Sequence, residues 1–290
     1  MELRTVFEEA RDLAARLYVL AAPLHNERLP GALSDRPDEV VCLMEGGSDV
    51  QAVSPHLVHI PLDRFEAACE WLGLHGPVSP CAMVIASPLS LVELEAHLKP
   101  LLRVHLPDDT PIVLACWDPS ILATLAGSSE DDDLFVKGPV LSEAQRQAFF
   151  APVLRWWYWD RHGRLRQIDW RQDEMLAESV VLRPPFRLEQ VQVDDLIEAS
   201  VPDNLLLHLN ERDSSTFAAI PERERYGFVC RQIERARRFG IEGLGMQVEY
   251  CALAAWHGEA FDESPEGAVL LRRLMAGLAP SKAGHSATLK

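Results

Sequence analysis

The first candidates for chemistry are two histidines, His56 and His59, in a short apolar run. A single metal ion would need both imidazoles on one side of the chain, but residues three apart on a strand point to opposite faces. The pattern H-E-x-x-H is absent, and the six cysteines lie singly in apolar segments without a C-x-x-C pair. The sequence therefore predicts no metal site, no cofactor and no disulfide framework.

Glycine-rich and nucleophile motifs are also missing or misplaced. Residues 45–49 lack the Lys-Ser/Thr end of a phosphate-binding loop, and their acidic side chains would repel phosphate. Residues 240–245 lie between two helical patterns, where glycines are typical of a helix end and a tight turn. The pattern G-x-S-x-G is absent, and the paired acids at 108–109 and 194–195 suit turns and helix starts. We expect no enzymatic activity, with a triad assembled from distant residues as the open alternative.

An acidic run and an aromatic run are candidates for contact with a partner. Residues 128–133 read SSEDDD, which is typical either of a dock for a basic segment or of a solvated loop. Residues 156–159 read WWYW, and alternate residues of a strand point to opposite faces, so both faces would carry large aromatics. Each face must then be covered by the domain interior, by another part of the chain or by a partner.

Two further positions have both a structural and a binding interpretation. Asp118 and Pro119 precede a short helical pattern at 120–125, where Asp favours the N-cap and Pro the first turn. Arg103 stands in an apolar run, where it would pair with an acid, reach a sheet edge or contact a ligand.

The net charge excludes two classes of function. The 290 residues include 28 Lys+Arg and 44 Asp+Glu, a formal charge of −16. Binding to nucleic acid and anchoring by a polybasic segment both require a cationic surface, so neither is expected. Residues 1–150 carry 10 basic and 23 acidic residues, whereas residues 151–290 carry 18 and 21, so two regions with different surfaces are expected.

Composition and the first residues predict a globular protein of the cytoplasm. Hydrophobic residues make up 48% of the chain, enough for a core. The longest uncharged run, 76–92, contains three prolines and cannot be a membrane helix of about 20 apolar residues. The start, MELRTVFEEARD, has acids where a signal peptide has a basic segment.

Helical and strand patterns alternate in the first part of the chain. Apolar spacing predicts helices at 2–17, 63–74 and 90–101, the last with a capping box formed by Ser90 and Glu93. Short β-branched runs predict strands at 18–22, 40–44, 57–60, 82–86, 102–106 and 112–116. Turn residues within 102–116 and 156–170 predict two hairpins. This order predicts an α/β (α+β) lobe with a mixed sheet.

Beyond residue 187 the pattern becomes helical. The predicted helices are 188–199, 203–210, 221–239, 244–256 and 265–278. The predicted organisation is an α/β domain at 1–170, a mostly α-helical lobe at 171–280 and a disordered tail at 281–290.

Three strings in a fixed order carry a resemblance to a known family. They are LEAHLKPLLRV at 94–104, LPDD at 106–109 and WDPSIL at 117–122. They resemble the adaptor-chaperone family of bacterial type VI secretion systems, the Tap or Tec proteins, which has L-x-x-H-L-x-x-L-L-x-V, then L-P-D-G, then R-F-Y-D-P-R-V-L. Ala115 and Ser120 stand where that family has its two arginines, so the roles of those arginines are not carried over.

The resemblance extends over residues 16–275. Its further elements are the strand at 18–22, SPHLV at 54–58, the segments 150–157 and 160–163, the helix at 225–240, Tyr250 and GEAF at 258–261.

The resemblance implies a non-enzymatic adaptor that binds a toxin effector protein and loads it onto the VgrG spike protein. Two other hypotheses stay open: a protein-interaction domain of another pathway, and a cryptic hydrolase or transferase. The adaptor hypothesis assigns one lobe to the effector and the other to the spike, in an order that the sequence does not give. The candidate partner-binding residues are Arg103, Trp117, Asp118, Glu130, Asp131, Asp132, Asp133, Trp156 and Tyr158.

Overall fold

The described residues of the computed structural model are 2–78, 82–170, 186–212 and 215–277. The chain divides into two compact units, residues 1–199 and 200–290. The predicted domain boundary after residue 170 falls at the start of the segment 171–185, and both this segment and the predicted tail at 281–290 lie outside the described residues.

The first unit is organised around β-structure. Its strands in chain order are β1 (Arg16–Ala21), β2 (Val40–Cys42), β3 (His56–Ile60), β4 (Ala82–Ser87), β5 (Arg103–His105), β6 (Pro111–Val113), β7 (Arg155–Trp159), β8 (Leu165–Gln167) and β9 (Phe186–Arg187). Within the described residues, one sheet has six strands in the order β2-β3-β1-β4-β7-β8, and all its neighbours are antiparallel.

The hairpin of β5 and β6 belongs to a separate, smaller sheet. This sheet has the order β6-β5-β9, with β5 antiparallel to β6 and parallel to β9. Both predicted hairpins are confirmed, and the predicted mixed sheet is this smaller one.

Helices flank the sheets and make up the second unit. In chain order they are α1 (Leu3–Asp12), α2 (Ser48–Gln51), α3 (Phe65–His75), α4 (Leu91–Leu101), α5 (Pro119–Ala126), α6 (Glu143–Phe150), α7 (Gln190–Arg212), α8 (Glu222–Arg238), α9 (Leu244–His257) and α10 (Pro265–Met275). The prediction of a sheet-rich first part and a helical second part is confirmed.

Both faces of the six-stranded sheet are buried because side chains alternate along each strand. On one face, Tyr18 and Trp156 belong to an apolar cluster with side chains of α4, α5 and α6. On the other face, Val19 and Trp157 belong to a second cluster with side chains of α1 and α3. The sheet is therefore the middle layer of the first unit.

Two predicted helices have different limits in the structure. The helix expected at 2–17 ends at Asp12, because Leu17 lies in β1, which pairs with β3 on one side and β4 on the other. The helices expected at 188–199 and 203–210 form one helix, α7, which continues through Pro202. Proline in a helix costs about 3 kcal/mol, and we attribute the continuation to the buried Leu205 and Leu209 beyond it.

A polar network joins the elements of the second unit. Arg235 of α8 pairs with Asp262 and also with Glu263, 2.8 Å away. Tyr250 of α9 donates its hydroxyl to Asp262 over 2.6 Å. Hydrogen bonds with Arg235 and Tyr250 hold the pKa of Asp262 below its usual value, against the effect of burial, which would raise it. This network fixes the segment between α9 and α10 against α8.

The N-cap predicted for α5 is confirmed. One Asp118 carboxylate oxygen, Oδ1, accepts hydrogen bonds from the backbone N–H groups of Ser120 at 2.8 Å and Ile121 at 3.2 Å. Pro119 occupies the first turn, where its missing N–H has no cost.

Replacing the Asp118 cap is expected to destabilise the first unit. Asp118→Ala should lower the free energy of unfolding by about 0.5–2 kcal/mol, because two backbone donors lose their acceptor. Asp118→Asn is the matched control, since an asparagine oxygen can accept the same bonds. Thermal unfolding of the two variants measures the difference, and equal melting temperatures would argue against the capping role.

Candidate functional site

The structure brings part of the candidate set together where the acidic run meets the β7–β8 hairpin. The loop after α5 carries residues 128–133 back towards Tyr158 of β7. The Tyr158 hydroxyl donates to Oδ2 of Asp131 over 2.8 Å, and both side chains are about 1% exposed. The acidic run and the aromatic run thus contact each other inside the protein, which the sequence analysis did not predict.

Asp133 binds the turn of the same hairpin. Its carboxylate lies 2.8 Å from Nε2 of His162 and 3.4 Å from Nη2 of Arg164. Gly163 follows His162 with a φ of +74°, and a Cβ there would lie 2.4 Å from the carbonyl oxygen of Pro77, so the turn requires glycine. The acidic loop is therefore attached to a turn whose backbone is strongly constrained.

Asp160 is a second buried acid of this region. Its Oδ2 accepts from Nε of Arg164 at 2.7 Å and from Nε of Arg166 at 2.8 Å. Its Oδ1 accepts from the backbone N–H groups of His162 and Arg164, each at 2.9 Å. Asp160 thus organises the hairpin turn and holds the two arginines that face the acidic loop.

The environment shifts the pKa values of these groups in opposite directions. Burial would raise the pKa of Asp160, but hydrogen bonds from Arg166 and Arg164 hold it below its usual value. Burial raises the pKa of Asp133, and the nearby Asp131 and Asp160 add to the rise. Burial also raises the pKa of the Tyr158 phenol, as does its bond to Asp131. The phenol therefore stays protonated and remains a donor at neutral pH.

Three carboxylates of this region have a spacing that a metal ion could use. One oxygen each of Asp131, Asp133 and Asp160 lies within 4.8 Å of the others. Tyr158 donates to the first, and His162, Arg164 and Arg166 pair with the other two. We therefore assign the cluster to a network that holds the loop on the hairpin.

The exposed residues of the acidic run are the ones that a partner can reach. Glu130 is exposed, and Asp132 is exposed while paired with Lys137 at 3.0 Å. Asp131 faces inward and Asp133 is largely covered, so the run alternates between accessible and internal carboxylates. The docking hypothesis applies to Glu130 and Asp132.

The aromatic run supports packing as its main role. Trp156 is fully buried and lies against Phe149 and Phe150, with ring centres 6.3 Å and 5.7 Å away. Trp157 and Trp159 belong to the cluster on the opposite face of the sheet. In this conformation Trp156 and Tyr158 present no surface to a partner.

The remaining candidates lie apart from the acidic loop. Trp117 is partly buried against the apolar cluster that contains Tyr18 and Trp156. The Asp118 carboxylate accepts the N-cap hydrogen bonds of α5. Arg103 is exposed on the small sheet opposite Val113, and within the described residues its side chain has neither a hydrogen bond nor an ion pair. Of the nine candidates, Arg103, Glu130 and Asp132 combine charge with exposure.

Sequence reasoning missed the groups that neutralise the acidic run. The hairpin turn reads DRHGRLR, so its basic residues could have been noted as partners of SSEDDD. It also missed the network of Arg235, Tyr250 and Asp262, although Arg235 and Tyr250 lie in helices that the apolar spacing predicted.

Comparison with known proteins shows that part of the chain matches one family model. Residues 17–135 match the family model described as "Domain of unknown function (DUF4123)". This family is associated with effector adaptors of type VI secretion. No curated protein and no solved structure matches the chain. Among the described helices, none has the length and apolar character needed to span a membrane.

Removal of the Asp160 charge is expected to weaken the first unit in a pH-dependent way. Asp160→Asn should lower the free energy of unfolding by roughly 2–3 kcal/mol at pH 7, because Arg164 and Arg166 lose their anion. The folded pKa of Asp160 lies below the ordinary 3.8, so its contribution is full well above pH 3.8 and is lost as the pH falls through the folded value.

Tryptophan fluorescence can follow this effect, since six of the seven tryptophans lie in residues 1–199. Unfolding of wild type and Asp160→Asn at several pH values between 7 and 3 should show two stabilities that converge on acidification. Asp132→Asn, at an exposed position, is the control and should differ little from wild type at every pH. A stability difference that does not depend on pH would contradict the assignment.

Proposed function

We propose that this protein is a non-enzymatic adaptor of a bacterial type VI secretion system, which binds one toxin effector in the cytoplasm and loads it onto the VgrG spike. The observation that carries the proposal is the match of residues 17–135 to a family associated with such adaptors. The ordered strings at 94–104, 106–109 and 117–122 lie within the matched region and resemble the same family.

The charge distribution supports a protein with two partners. Residues 1–199 contain 17 basic and 32 acidic residues, whereas residues 200–290 contain 11 and 12. A strongly acidic unit attracts basic surfaces and repels acidic ones, while a nearly neutral unit depends on apolar and short-range polar contacts. Two units with such different surfaces suit two different binding partners.

The acidic loop supports a role for the first unit in electrostatic docking. Glu130 and Asp132 project from a loop that is held by Asp131 and Asp133, so their charges are presented from a fixed backbone. A prepositioned charge loses less conformational entropy on binding than a charge on a flexible loop does. We assign this loop to the contact with a basic surface of one partner.

The decisive experiment is affinity purification of the tagged chain from its native bacterium, with the secretion system expressed. We expect mass spectrometry to identify one toxin-like protein and a VgrG protein at moderate salt. High salt should release the partner bound to the acidic unit, because screening weakens exposed charge pairs. Recovery of neither protein would overturn the proposal and favour one of the two other hypotheses.

A secretion assay in the same bacterium supplies the functional control. Deletion of the gene for this chain should abolish export of the one effector, while other exported proteins are unaffected. Restoring the wild-type gene should restore export. Unchanged export of every effector in the deletion strain would contradict the adaptor function even if binding were observed.

A further inference from the structure

Strand β2 lies at one edge of the six-stranded sheet, at the opposite end from β8 and the acidic loop. It pairs with β3 on one side, with Val40 opposite Val58 and Cys42 opposite His56. An edge strand presents a row of backbone N–H and C=O groups that its own sheet does not use. The other side of β2 can therefore pair with a further strand.

Hydrogen bonds at the two ends of β2 show which of its residues bond to β3. The N–H of His59 donates to the carbonyl oxygen of Glu39 over 2.8 Å. The N–H of Leu43 donates to the carbonyl oxygen of Pro55 over 2.9 Å. Bonded and non-bonded residue pairs alternate along an antiparallel ladder, so every second residue from Glu39 onwards bonds to β3.

The residues between these positions, Val40 and Cys42, turn their backbone groups outwards. The N–H and the C=O of each point away from β3, and in the part of the chain that the structure describes they have no hydrogen-bond partner. Unused donors and acceptors that alternate along one line match the backbone of another extended segment. The chemistry of the edge therefore specifies a strand as its ligand.

The other edge strands among the described residues carry a protective residue that β2 lacks. Proline, which has no N–H, and charged side chains are common devices that keep an edge from pairing. Strand β6 contains Pro111, β8 contains Arg166 and β9 contains Arg187. Strand β2 reads VVC, and β6 and β8 are equally short, at three residues each, so length does not distinguish them. Of these edges, β2 is the best suited to accept a strand.

Both apolar layers of the first unit reach β2 and are incomplete there. Val41 packs against the cluster that contains Tyr18, and Val40 packs against the cluster that contains Val19 on the opposite face. Both valines are only partly buried. Apolar side chains of an added strand would extend the two layers and cover the rest of both valines.

The charges beside β2 favour a basic segment. Asp38 and Glu45 flank the strand, both are exposed, and within the described residues neither side chain has a hydrogen bond or an ion pair. Residues 35–49 contain a single cation, Arg36, which already pairs with Glu39 at 3.0 Å. A lysine or arginine near each end of an added strand would therefore meet a free carboxylate.

We propose that the free side of β2 binds an extended segment of a partner protein as an additional strand, with apolar residues in its middle and a lysine or arginine near each end. Its backbone bonds to Val40 and Cys42, and its cations contact Asp38 and Glu45. A second copy of this chain is disfavoured, because two antiparallel β2 strands would bring Asp38 of one copy close to Glu45 of the other. The identity of the partner rests on the proposed adaptor function, but the chemistry of the edge does not.

The test uses a phage library of linear peptides as the probe and the full chain as the target. Peptides selected on the wild-type chain should be apolar in the middle and carry lysine or arginine towards both ends. A synthetic copy of one selected peptide then receives an N-methyl group at each backbone nitrogen in turn. Because alternate residues of a strand bond to its neighbour, every second N-methyl group should weaken binding about tenfold, and those between should change it little.

Amide hydrogen exchange, measured by NMR, locates the peptide on the protein. In the free chain the N–H groups of Val40 and Cys42 should exchange faster than that of Val41, which bonds to β3. Saturation with the peptide should slow exchange at Val40 and Cys42 by about tenfold or more. If the free chain is a dimer in which both amides are already protected, a second copy occupies the edge and the proposal fails.

A pair of charge reversals tests the electrostatic part. Glu45→Lys should weaken the selected peptides about tenfold, because a cation replaces the carboxylate at one end of the site. Glu70→Lys, at an exposed position of α3, is the matched control and should leave binding unchanged. Selection of acidic peptides, failure to select any peptide, an N-methyl pattern without a period of two, or unchanged exchange at Val40 and Cys42 would each overturn the proposal.

Purification from the native bacterium separates this proposal from the proposed function. Cys42→Pro removes an outward N–H and no bond to β3, so it should lose one partner, whereas wild type and Glu70→Lys should recover both. Circular dichroism checks the fold of Cys42→Pro, and the double variant Asp38→Lys, Glu45→Lys replaces it if it does not fold. If the folded edge variant keeps both partners, the edge proposal fails and the adaptor function stands. If wild type recovers neither, the adaptor function fails, and the peptide experiments decide whether β2 binds a basic strand.

Discussion

Both faces of the six-stranded sheet carry apolar side chains, so each face needs a covering layer before the first unit can fold. Strand β7 has large aromatic side chains on both faces of the sheet. Trp156 and Tyr158 belong to one apolar cluster, and Trp157 and Trp159 belong to the other. The helices α1 and α3 therefore cover one face, and α4, α5 and α6 cover the other. The remaining features of the unit are arranged around this three-layer packing.

The position of the acidic loop follows from the same packing. Tyr158 is buried in the sheet, and a buried hydroxyl needs a partner. Asp131 supplies the acceptor, and its burial draws the loop onto the hairpin, where His162, Arg164 and Arg166 face the other acids. The acidic run at 128–133 is therefore not only a solvated loop, because Asp131 and Asp133 hold it on the hairpin. The proposed docking role belongs to the side chains left outside this network.

Local patterns were sufficient to predict most elements, and tertiary contacts account for the differences. Hydrophobic period and turn residues located both hairpins, the capping box at Ser90 and the N-cap at Asp118, since these depend on neighbouring residues. The end of α1 and the continuity of α7 through Pro202 depend on packing from distant segments. For the site, the sequence identified the acidic and aromatic runs but not their mutual contact, because 27 positions separate Asp131 from Tyr158.

The alternation within the acidic loop has an evolutionary consequence. Asp131 and Asp133 are committed to the fold, whereas Glu130 and Asp132 project outward between and beside them. Mutations at the outward positions can change the charge that a partner meets while the anchoring bonds persist. Related chains could therefore diverge in partner choice at these two positions while they keep the same loop conformation. Under the proposed docking role, selection for stability and selection for recognition would act on different residues of this loop.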